Sequence, residues 1–102
     1  AWTVVLDSDP TFKTSCLNRF VYVKPVKEFA AVLRFAEPIR PFLSTVALAG
    51  SDEAVEAQAI ELARWGATRI CALGRMQTPP LAWRHDGRPS LGELVRWTDW
   101  ES

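Results

Sequence analysis

The chain has 102 residues, 12 of them Lys or Arg and 12 Asp or Glu, so its net charge is zero and no single-sign field invites nucleic acid or an anionic membrane. Its length fits one compact domain and is too short for two, and no apolar run approaches the roughly 18 residues of a membrane span. No basic-then-apolar leader opens it, so a cytoplasmic location is expected.

Taken in chain order, Trp2 to Leu6 is β-branched and aromatic, and Asp7-Ser8-Asp9-Pro10 is turn chemistry, so a short strand ends there. Residues 7–17 read as loop. Arg19 to Val26 is strongly strand-like, with Pro25 at its end, where a missing amide donor costs least. Phe29, Val32, Leu33 and Ala36 then form the i, i+3, i+4, i+7 stripe of a helix, which Pro38 and Pro41 stop. Phe42 to Ala49 is nearly continuously apolar, as suits a strand covered on both faces.

Ser51 or Asp52 can cap the next helix, acids at 52 and 53 complement its dipole, and Val55, Ala59, Leu62 and Ala63 make its stripe before Gly66 ends it. Thr68 to Leu73 returns to strand character. Strands alternating with helices of this length imply parallel pairing, so residues 1–73 read as a β-α-β-α-β unit of the α/β class. Residues 74–102 read as an arm. Gly74 to Pro89 is irregular and Pro-rich, and Ser90-Leu91-Gly92-Glu93 is a capping box opening a short terminal helix to about Trp97. Trp2, Trp65, Trp83, Trp97 and Trp100 are many rings for so small a body. Either they close the domain's own core or they dock against something else.

Several residues carry candidate chemistry. Gly50 stands between a strand and a helix, but one glycine with no following Lys, and acids at 52 and 53, argues against a phosphate turn. His85 is the only histidine, which excludes a multi-histidine metal site, and Asp86 beside it is expected to point away. Cys16 and Cys71 lack a C-x-x-C spacing and read as free thiols, Cys71 as a structural one inside a strand. Arg75, Arg84 and Arg88 place three guanidinium groups in one long loop, either a clamp for an anion or an arm paired to nearby acids.

The order Gly66-Ala67-Thr68-Arg69-Ile70-Cys71, Gly74-Arg75-Met76-Gln77, Pro79-Pro80-Leu81, Trp83, His85-Asp86-Gly87-Arg88-Pro89 and Leu94-Val95-Arg96-Trp97 resembles the C-terminal end of bacterial acyl-CoA reductases. These are the bioluminescence fatty-acid reductase type, within the aldehyde dehydrogenase superfamily. Leu17 to Val26 and Pro41 to Val46 are similar to that family too, so the resemblance spans essentially the whole chain but about the last quarter of a full member.

It implies an NADPH-dependent reductase that takes a long-chain acyl group from a thioester onto a cysteine and releases the aldehyde. By the same resemblance the nucleophile and the dinucleotide-binding domain precede this stretch, so neither Cys16 nor Cys71 inherits the role. The chain begins at Ala1 without an initiator Met, as a fragment does or as Met removal leaves it. The family's Glu-x-Phe-Gly type motif is replaced by Ser15-Cys16-Leu17-Asn18, which leaves Asn18 and Arg19 as the cofactor contacts expected here. The implied partners are the remainder of the reductase subunit, further copies in a homo-oligomer, and an acyl-protein synthetase-type protein. The alternatives are a free-standing α/β module binding a small anion or a protein, and a small thiol enzyme using Cys16.

Overall fold

The computed structural model describes residues 1–15, 18–89 and 92–101. Its chain divides into two compact units, Ala1–Leu43 and Ser44–Ser102, each with one two-stranded sheet. The class is mixed α/β with parallel strand pairs, and the expected β-α-β-α-β order runs from the second strand to the fourth.

In the first unit the β-branched runs become β1 (Thr3–Leu6) and β2 (Phe20–Val23), paired in parallel with Val4 opposite Val21 and Leu6 opposite Val23. The intervening connection is close to the shortest that a parallel pair allows. It is closed at both ends, since Thr3 N–H donates to Arg19 O at 2.8 Å and Asp7 N–H to Val23 O at 2.9 Å. Alternation along the strands puts Phe20 and Tyr22 on one face, their rings edge to face at 5.0 Å. Val4, Leu6, Val21 and Val23 take the other face, which is exposed.

The helix α1 (Phe29–Ala36) follows its stripe, although Ala31 is its buried residue and Val32 is exposed. As expected, the α-helix ends at Ala36, just before Pro38, and the two prolines tighten the chain beyond it. They lie in a 3-10 segment, Glu37–Phe42, where proline's fixed φ is compatible and the first turn lacks donors anyway. Phe42 therefore belongs to that turn and is 86 % exposed, so the strand expected from Phe42 starts only at Thr45.

The second unit is a β-α-β: β3 (Thr45–Leu48), α2 (Asp52–Trp65) and β4 (Arg69–Ala72), with Val46 opposite Ile70 and Ala47 opposite Cys71. Every residue of β3 is half-buried. The signals around α2 act as read: Ser51 Oγ accepts from Ala54 N–H, Asp52 and Glu53 occupy the first turn, and Gly66 takes φ 116° while donating back to Leu62 O and Ala63 O. Only the stripe shifts, since Ala63 is exposed while Ala54, Val55, Gln58, Ala59, Leu62 and Trp65 form the covered face.

The arm is a string of turns. Backbone bonds run from Arg75 N–H to Ala72 O, Thr78 to Arg75, Trp83 to Pro80, Arg88 to His85 and Gly92 to Pro89. In place of a helix to Trp97 there is one 3-10 turn, Gly92–Leu94, and Ser90 and Leu91 of the capping box lie outside the described residues. Gly92, Val95 and Trp97 are weak helix formers, and a short helix needs a packed face. Leu94, Trp97 and Trp100 instead stand 78, 83 and 91 % exposed, and Trp2 76 %. These three tryptophans do not close the chain's own core.

Candidate functional site

Asn18 and Arg19, the residues expected to meet a cofactor, form an exposed turn entering β2. Arg19 has φ 63°, the left-handed region that residues bearing a Cβ avoid at a cost of about 1–2 kcal/mol. Its carbonyl holds the Thr3 amide, which fixes this conformation. No ion pair or hydrogen bond among the described residues engages its guanidinium. Cys16 lies outside the described residues.

Beyond β1, Asp7 gathers two ammonium groups: its Oδ2 lies 2.8 Å from Lys24 Nζ and 2.9 Å from Lys13 Nζ. Lys13 also meets Asp9 Oδ2 at 3.2 Å, and Lys24 donates to Asp9 O. Lys24, then Lys13, hold the Asp7 carboxyl far below the usual carboxylate range. The Thr11 amide lowers Asp9, and Asp7 raises Lys13. Because Asp7 is depressed, its contribution to stability is complete above the unfolded carboxylate pKa of about 3.9 and is lost as pH falls through the folded value. Lys13, being raised, contributes fully below about 10.4 and loses that contribution as pH rises through its folded value. Asp7→Asn is thus expected to lower the melting temperature by a constant amount between about pH 5 and pH 9, the gap closing in stronger acid. Thermal melts of both proteins across pH check this, and a gap unchanged down to about pH 2 contradicts it.

In the second unit, the turns of the arm and β4 border an open, cleft-like cavity of about 670 Å3, lined by Arg69, Cys71, Arg75, Pro79, Pro80 and Trp83 among others. Period-2 alternation puts Arg69 and Cys71 on the same face of the strand. Arg69 Nη1 donates to Met76 O at 2.7 Å and Nη2 to Arg75 O at 2.9 Å, and its guanidinium lies 5.3 Å from the Trp83 ring centre. Trp83 in turn contacts the His85 ring at 4.8 Å. Sequence reading passed over Arg69 as a strand residue; the available signal was an arginine two positions from Cys71 in an otherwise apolar strand.

Contrary to expectation, Asp86 does reach His85, with Oδ2 3.0 Å from Nδ1. Asp86 and Gly87 both have positive φ, 49° and 78°, and His85 pairs with Arg88 across them. That is the Asp-Gly hairpin turn, whose tight reversal brings the neighbouring side chains together. The pair is exposed, and no hydrogen bond among the described residues joins it to the half-buried Cys71 thiol. Nor do the described residues hold a group of three or more His, Cys, Asp or Glu suited to a metal.

The start of α2 does not fit a dinucleotide phosphate. Ser51 Oγ already accepts from Ala54, two acids follow, and a Cβ on Gly50 would meet only ordinary contacts at 3.7 and 4.0 Å, so no close backbone approach demands glycine there. No helix among the described residues is long and apolar enough to cross a membrane.

These features define a parallel α/β chain with a cationic cavity and with no catalytic constellation assembled among its described residues. The family model described as Acyl-CoA reductase (LuxC) matches residues 1–97, and the chain belongs to that family. Comparison with curated proteins and with solved structures found no match in either case.

Proposed function

We propose that the chain is the C-terminal part of an NADPH-dependent reductase of long-chain fatty acyl thioesters, a cytoplasmic enzyme of the aldehyde dehydrogenase superfamily. The match along residues 1–97 carries this reading. In the intact enzyme a cysteine outside this stretch would take the acyl group from the substrate thioester and release the substrate's thiol, and NADPH, when bound, would supply the hydride that frees the aldehyde as the cysteine thiolate leaves. This chain is non-catalytic. It extends the parallel sheet and builds the contact with the remainder of the subunit and with further copies, and the exposed apolar faces of β1 and β2 together with Trp97 and Trp100 support that role. Asn18 and Arg19 are its offered contacts to the cofactor, on an exposed turn where the Arg19 guanidinium, without a partner among the described residues, suits a phosphate. An acyl-protein synthetase-type protein is the proposed external partner.

The test is an assay of aldehyde formation from a fatty acyl thioester with NADPH, run on the intact gene product and on the 102-residue chain. Turnover is expected from the first alone. Turnover by the isolated chain overturns the non-catalytic role, and none from either overturns the reductase reading.

A further inference from the structure

The cavity under the arm has two arginines in its wall, Arg69 and Arg75, and no carboxylate. Among the described residues neither guanidinium is in an ion pair. Arg69 is fixed in place by two carbonyl acceptors and the Trp83 ring, which consumes two of its N–H donors and leaves the rest of its fork open. The Thr68 and Thr78 hydroxyls donate to Ser44 O and Arg75 O, so recognition of a ligand falls to the guanidinium groups.

We propose that this cavity binds a phosphate monoester. Two uncompensated cations are balanced by the charge of roughly −1.5 to −2 that such a group carries near neutral pH, whereas a carboxylate balances one. Planar guanidinium forks match phosphate oxygens in paired hydrogen bonds. Because Arg69 is already immobilised, binding sacrifices little of its side-chain freedom. Pro79, Pro80 and Trp83 supply apolar wall on one side of this open cleft, against which the organic part of the ligand can rest. A volume of about 670 Å3 exceeds a bare phosphate, so the phosphate arrives on a larger organic body. The site is independent of the reductase reading, since it rests on the second unit alone.

Cys71 lines the same cavity and serves as the reporter. The full chain is treated with a small thiol alkylator and the modified peptides are quantified, with inorganic phosphate, AMP, acetate or matched chloride present. Phosphate and AMP are expected to slow alkylation of Cys71 several-fold, AMP at lower concentration, while acetate and chloride leave it unchanged. Arg75→Gln, which removes a side chain without a hydrogen bond or ion pair among the described residues, is expected to abolish the protection, and Arg75→Lys to retain part of it. Protection by acetate equal to that by phosphate, or protection that survives Arg75→Gln, overturns the site. Where Cys71 alkylates too slowly to read, the Met76 and Gln77 amide resonances of labelled chain take its place. Their failure to shift with phosphate and AMP overturns the proposal equally.

Discussion

Replacing Leu62 by Ala is expected to cost the second unit about 2–5 kcal/mol, the largest loss of any single side chain. Among the described residues only Ala31 and Leu62 are buried, at 6 and 3 % exposure, so Leu62 is the one large side chain almost wholly withdrawn from water. It sits on the covered face of α2, and its carbonyl also accepts the amides of Gly66 and Ala67 that terminate the helix. Removing its side-chain carbons forfeits both transfer energy and packing, and a small domain has only about 5–15 kcal/mol in total. Urea unfolding followed by helix circular dichroism measures the loss. Ile60→Ala on the same helix is the comparison: with Ile60 46 % exposed, its midpoint is expected to move much less. Equal shifts for the two variants contradict the assignment of the core.

The second large effect is confined to the arm. Arg69→Ala removes two charge-assisted hydrogen bonds and a cation–π contact, together worth about 2 kcal/mol. Amide exchange at Thr78 and Trp83, whose N–H groups bond within the arm, is expected to quicken by about 30-fold. The Leu73 amide, bonded to Leu48 O in the β3–β4 ladder, keeps its protection. Arg69→Lys retains the charge but cannot reach two carbonyls with a planar fork, so it is expected to recover only a minor share. Uniform loss of protection through Leu73 would show that Arg69 supports the whole unit and not the arm.

The elements most legible in the sequence were those whose signals are local. The helix α2 carries its cap, its first-turn acids and its terminal glycine within its own residues, and all three act as read. Strands β3 and β4 were found for the same reason, though Phe42 went to the wrong element because an apolar run does not reveal that Pro41 keeps it in a tight turn. The terminal helix shows the converse. A capping pattern was present, but Leu94 and Trp97 find no surface among the described residues to pack on, and local signals do not hold a short helix unaided.

The candidate site was legible only in part. Arg75 was singled out as a possible clamp residue, whereas Arg69 and Trp83 meet through a fold-back whose hydrogen bonds join residues six and seven positions apart. Asp86-Gly87 is a hairpin-turn pair, and with it comes the approach of Asp86 to His85, a local signal that the surrounding prolines mask. Asn18 and Arg19 came from resemblance alone, which is why nothing in the periodicity of the chain hinted at the positive φ of Arg19.

The bare β1–β2 pair has a practical meaning for anyone producing the polypeptide. Val4, Leu6, Val21 and Val23 form a water-facing apolar ledge on a sheet that has only two strands among the described residues. Such a ledge packs against apolar surfaces of other molecules, and the edges of a two-stranded sheet add unpaired backbone groups that recruit further strands. Self-association during expression is the expected liability of that ledge, and a gatekeeper lysine at Val4 or Val21 is the remedy that leaves the ladder's backbone bonds untouched.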